Sequence, residues 1–248
     1  QPGAWWRIAS DGPFYLDHGS IHEMNHARYM IDNYGFDVHQ SQASVPEADR
    51  VIQIRDDSNN LVAGTQLMPF VAWEAVHYNK YSDIMGGPSV VDVYTGMVWN
   101  WKHHKRGRGN MNAPADIGVF LQQLPQNNHL RLIDQSGKPL AGATVDLYRA
   151  TNNSTWYGKK YDNVADLSYT ADSEGWIHLP RNPFSTSSIT HTYGLANGVA
   201  ILKIRYGGQL YFAFLDVTDF NIQYWLGRTQ DGSYALQVDV RNNGVTVP

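Results

Sequence analysis

The residues best equipped for chemistry are His22, Glu23 and His26, set in the order His-Glu-Met-Asn-His. On a helix, residues four apart stand on one face, one turn above the other. Two imidazoles so placed can grip one tetrahedral Zn²⁺. Glu23 projects beside them, close enough to take a proton from metal-bound water without being a ligand. The plainer alternative is a polar helix face carrying two surface histidines.

The following residues extend the pattern. From His22 to Gly35 the chain reads H-E-x-x-H, then Asp32 six positions past His26, then Tyr34. This resembles the metzincin-type zinc peptidases, and most of all the immune-inhibitor-A-like and snapalysin-like secreted members. Ser82-Asp83-Ile84-Met85-Gly86-Gly87 is similar to the methionine turn of those families. The resemblance covers about residues 16–90. It implies His22, His26 and Asp32 as zinc ligands and Glu23 as the catalytic base. It also implies Met85 as an apolar floor under the metal, with Tyr34 or His39 assisting the oxyanion.

Two departures leave alternatives open. Tyr29 stands where the family has a helix-ending glycine. If the helix runs on to Gly35, Asp32 lies about 120° off the ligand face, at 100° per residue. The third ligand would then come from His39, Glu47, Glu74 or His77, or from no protein group. The stretch before His22 is also short for a peptidase whose sheet edge pairs with substrate. Ala4–Ile8 and Phe14–Leu16 could supply one or two strands, but a full catalytic subdomain does not fit. The expectation is either the C-terminal part of a larger precursor, or a zinc fold that has decayed into a scaffold.

Those residues need elements to position them. A helix is predicted over Ser20–Asn33, with Ser20 as N-cap and Glu23 completing a capping box. That would give Glu23 a competing structural role. Val51–Ile54 reads as a strand and Asp56–Asn60 as a turn, without the glycine and distant glutamate of a calcium loop. Met68–Tyr81 reads as a helix or an irregular loop, Val93–Lys102 as a further helix, and Arg106–Pro125 as a connector.

From about residue 128 the pattern is β. Strands are predicted at Leu130–Ile133, Ala143–Arg149 and, as strand-turn-strand, Tyr169–Leu179. Val199–Tyr206 and Gln209–Val217 flank Gly207-Gly208, a hairpin signal. Phe220–Leu226 and Tyr234–Val240 are read as a second hairpin through Gln230–Ser233. The order G-x-P-L-x-G-A-x-V, then T-A-D-x-x-G, over 128–180 resembles transthyretin-like or carboxypeptidase-regulatory-like β-sandwiches. His178 and His191 are read as strand and loop residues.

Composition narrows the field. A net charge of −4 and one short basic run, Lys102–Arg108, give no nucleic-acid footprint. No apolar run approaches the ~18 residues that span a bilayer. With 0 cysteines, disulfides and thiolate metal sites are excluded. Overlapping sequons at Asn152 and Asn153 count only in a glycosylating secretory pathway. The aromatic load is read as strand and core residues, with sugar stacking as the alternative.

The expected fold class is α+β: a partial zincin-like region with an active-site helix over residues 1–127, followed by an all-β immunoglobulin-like sandwich over residues 128–248. The expected function is a secreted, extracellular zinc-dependent endopeptidase, a metalloprotease hydrolysing peptide bonds through a Zn²⁺-activated water. The alternative is a non-catalytic extracellular structural or adhesive protein with a degenerate or structural zinc site. Expected partners are a protein or peptide substrate, with self-association or cell-surface contact through the sandwich, and neither nucleic acid nor a membrane span.

Overall fold

A computed structural model describes residues 6–9, 12–16, 18–26, 30, 38–39, 76–78, 85, 96, 124–149, 164–184, 198–227 and 231–240. The first elements are small. Strands β1 (Trp6–Ala9) and β2 (Gly12–Leu16) pair antiparallel. Helix α1 (His18–His26) follows, and β3 (Val38–His39) pairs with β4 (Val76–Tyr78). Thus α1 begins two residues before the predicted cap, which places Ser20 inside the helix and removes the capping box. It also stops at His26 rather than running to Asn33. Val76–Tyr78 is a strand inside the segment read as helix or loop. The readings at Val51–Ile54 and Asp56–Asn60, and His191 with both sequons, lie outside the described residues.

Two larger sheets form the body. Strands β5 (Asn127–Ile133), β6 (Thr144–Arg149), β7 (Leu167–Thr170), β8 (Trp176–Leu179), β9 (Val199–Tyr206) and β10 (Gln209–Asp216) come in chain order. Helix α2 (Thr218–Trp225) and strand β11 (Asp231–Gln237) complete them. One sheet runs β10-β9-β6-β7 and the other β11-β5-β8. Both contribute to one buried apolar cluster, with Leu130, Leu132, Ile177 and Leu236 from one sheet and Val145, Leu147, Ile204 and Phe214 from the other.

The turns follow from their side chains. Asp134 Oδ1 accepts the Ser136 and Lys138 N–H groups and the Ser136 hydroxyl. The Ser136 hydroxyl and the Lys138 N–H hold that carboxyl below its usual range. Asp172 repeats the device, accepting the Glu174 and Trp176 N–H groups. This second turn carries the chain from β7 in one sheet to β8 in the other. Gly175 closes it at φ 78°, where an added Cβ would stand 2.5 Å from the Leu132 carbonyl oxygen. Gly207-Gly208, at φ 58° and 75°, makes the tight β9–β10 hairpin.

The expected fold class is corrected on both sides. The chain is mostly β-sheet with two short helices among the described residues, and no helix-rich zincin core is seen among them. Beyond residue 128 it is not all β and not wholly antiparallel. Phe220–Leu226 is read from sequence as the first strand of a second hairpin. It is the helix α2, whose buried residues Thr218, Asn221 and Trp225 recur at helical spacing. Asp216 accepts the Thr218 N–H and hydroxyl, and Asp219 accepts the Asp216 N–H, so the helix start is tied at both ends. The predicted second hairpin therefore does not form. Instead α2 carries the chain across to β11, which pairs parallel to β5. Gln223 meets the free edge of β11, donating to the Ser233 carbonyl and accepting its N–H.

Three outcomes test this account. First, Gly175→Ala combines a left-handed backbone with a backbone clash and should cost about 3 kcal/mol, against about 1 kcal/mol for Gly137→Ala, which meets nothing. Equal costs in denaturant titrations would refute the close approach. Second, burial would raise the Asp146 carboxyl, but hydrogen bonds from Arg205 and Ser168 and the nearby positive charge hold it below the usual value. A depressed carboxylate stabilises above its unfolded pKa of about 3.9 and loses that effect as pH falls through the folded value. Asp146→Asn should thus be less stable than the parent at pH 7, with the gap closing below about pH 4. A gap independent of pH would count against the ion pair.

Third, we propose that the β region folds by itself from a start slightly earlier than residue 128, because Leu124 is buried and Pro125 accepts a hydrogen bond from buried Asn128. A fragment of residues 120–248 should melt cooperatively, and one starting at 128 should be weaker by ~2–3 kcal/mol. A disordered 120–248 fragment would disprove the boundary.

Candidate metal centre

Helix α1 brings His22, Glu23 and His26 together. One ligand atom from each lies within 4.8 Å of the others. The two rings stand edge to face with centroids 5.2 Å apart. His22 is half-buried, Glu23 is exposed and His26 is buried. The cluster thus sits at the rim between the core and water, with Ile21 of the same helix packed on the core.

His26 is oriented by the chain that follows it. Its Nδ1 lies 2.9 Å from the Met30 carbonyl oxygen. A carbonyl can only accept, so Nδ1 carries a proton, and in the neutral ring the lone pair falls on Nε2. This is the arrangement by which metal-binding histidines have their ring and tautomer set. The Met30 N–H donates to the Asn25 carbonyl at 3.3 Å, which folds the chain back over the end of α1. Met30 and Met85 are both fully buried and belong to the apolar cluster.

The remaining expected site residues are not brought to this centre by anything described. Asp32, Tyr34, Glu47 and Glu74 lie outside the described residues. His39 and His77 fall on β3 and β4, neighbouring strands of one small sheet. The Met30 carbonyl was missed from sequence because a backbone group has no sequence signal, and it required knowing that the helix stops at His26.

No protein-family model matches the chain, and no curated protein matches it. Solved structures similar to it include an intradiol ring-cleavage dioxygenase from Tetranychus urticae. That match has 13% identity and a TM-score of 0.27 and covers 47% of this chain and 81% of the other. The chain is also similar to 3-chlorocatechol 1,2-dioxygenase from Rhodococcus opacus 1CP, at 15% identity and TM-score 0.24, covering 46% and 58%. Catechol 1,2-dioxygenase from Pseudomonas arvilla C-1 matches at 13% and 0.24, covering 47% and 52%. A likeness this slight brings no iron, ring cleavage or substrate over to this chain.

The expected zinc-peptidase resemblance, and with it the zinc-dependent endopeptidase and the metalloprotease and hydrolase labels, is corrected. No family model matches the chain, a peptidase's included. Helix α1 has 9 residues and is preceded among the described residues by a two-stranded sheet, and no zincin core that could hold a cleft is seen among them. What the residues do support is coarser: a His/Glu cluster able to hold a metal ion. No helix among the described residues is long and apolar enough to cross a membrane.

Proposed function

We propose that this chain is a metal-dependent protein whose α1 holds one divalent first-row transition ion through His22, His26 and Glu23. The observation that carries this is the convergence of three donor atoms within 4.8 Å on one short helix. The oriented tautomer of His26 supports it. In this reading Glu23 is a ligand rather than the base that its place in the motif suggests. Two imidazoles and one carboxylate leave coordination positions open, so the ion could polarise a water or an oxygen donor bound there. Zn²⁺ suits the donors, and so does Fe²⁺, for which two histidines and one carboxylate form an open face. Asp32 is a candidate for a further ligand. An extracellular setting belongs to the proposal on composition alone.

The test compares chelator-stripped parent and variants equilibrated with ZnCl₂ or, anaerobically, with Fe²⁺. His26→Ala should bind one ion fewer than the parent. Glu23→Gln should weaken that ion about tenfold or more, as for a lost ligand. Because imidazole must be neutral to ligate, affinity should fall as pH drops through about 6.5. A parent and a folded His26→Ala variant with equal metal content would overturn the reading.

A further inference from the structure

Resting on the reading of His22, Glu23 and His26 as metal ligands, we propose that Asn25 gives the α1 centre its choice of small molecule. Its side-chain amide donates to an oxyanion, a carboxylate in the simplest case, held in an open coordination position of the ion. The helix sets the arrangement. At 100° per residue, the two histidines lie about 40° apart around α1, with Glu23 about 60° beyond His26 and Asn25 about 60° beyond His22. The histidine pair is therefore bracketed by an exposed carboxylate on one flank and a buried amide on the other. Ile21, packed on the core, lies about 40° past Asn25. Asn25 thus stands between the core and the ligands. His22 and Asn25 are three residues apart, which on a helix puts their β-carbons about 5–6 Å from each other. Helical side chains lean back toward the N-terminus, so that of Asn25 lies over the turn that carries His22.

The state of the amide calls for an occupant. Asn25 is 5% exposed, and its Nδ2 has no hydrogen-bond partner among the described residues. The groups around it are already engaged. The Asn25 carbonyl accepts the Met30 N–H at 3.3 Å, and His26 Nδ1 meets the Met30 carbonyl. A lone buried donor has lost its hydration and gained nothing in return. An acceptor beside the ion removes that loss.

An oxyanion does so best. Two neutral imidazoles and one carboxylate leave a divalent ion with net positive charge, which draws an anion to the open position. The anion then accepts a charge-assisted bond from the amide, stronger than a neutral one. A metal ligand that has no acceptor to offer gains nothing from Asn25.

The experiment uses the full chain, stripped with chelator and loaded with Co²⁺, whose visible absorption follows changes in its ligands. The protein is titrated with acetate and, separately, with imidazole, which has no acceptor left once its nitrogen is on the ion. Asn25→Leu should keep the Co²⁺ content, weaken acetate at least ~10-fold and leave imidazole within about twofold of the parent. It replaces a lone buried polar group by an apolar one of similar size, so its denaturation midpoint should be no lower than the parent's. If Asn25→Leu does not fold, Asn25→Ala is read in the same way. Acetate affinity indifferent to Asn25 would mean that a buried water alone meets the amide, and overturns the proposal. A Co²⁺-loaded parent that ignores acetate does the same, as does a parallel loss of acetate and imidazole or a loss of Co²⁺, which would mark Asn25 as a structural support. A parent that takes up no Co²⁺ overturns the metal reading itself and this proposal with it, so the two failures are told apart.

Discussion

The rest of the structure depends on burying the β9–β10 hairpin on both faces. Val199–Ile204 in β9 and Tyr211–Asp216 in β10 are buried at consecutive positions. Successive strand residues point to opposite faces, so neither face of the hairpin can be left to water. Each large apolar side chain buried here is worth roughly 1.5–3 kcal/mol, which makes covering the hairpin the dominant demand on its neighbours. β6 pairs with β9, the second sheet shares the core, and α2 packs on β11 and β10. Buried polar groups are tolerated where they are bonded. Asp216 is fully buried, and its carboxylate accepts two hydrogen bonds from Thr218 as the hairpin turns into α2.

The metal cluster depends on the same principle at smaller scale. A helix of 9 residues is marginal in water by itself. It is held by packing, with His26 and Asn25 buried and Ile21 against the core. The contact between His26 and the Met30 carbonyl then does two things. It satisfies a buried ring nitrogen, and it decides which nitrogen carries the proton in the neutral ring. The donor set is therefore a product of where the helix ends.

Much of the β region was legible. Gly207-Gly208 between two apolar runs announced its hairpin, and Asp134 and Asp172 announced their turns, because each signal is local: a positive φ or a side chain bonded to its own backbone. Phe220–Leu226 misled because alternation of period two and helical burial cannot be told apart over six residues. The Asp216-Val217-Thr218-Asp219 start signal was present and outweighed it. The peptidase resemblance misled for a related reason. Five residues state donor types and spacing, and a catalytic cleft needs a scaffold that they do not encode.

By itself, then, the sequence determined which residues could be donors, that His22 and His26 share a helix face, and where the tight turns fall, since these follow from geometry within a few residues. Only the tertiary structure decided that α1 stops at His26 under the Met30 carbonyl. It alone decided that α2 replaces a strand so that β11 pairs parallel to β5, and that His129 lies between His178 and Asp231 on one face of that sheet. Each of these joins residues distant in the chain or ends an element by packing, and the energies involved come from burial shared among strands that no local pattern can register.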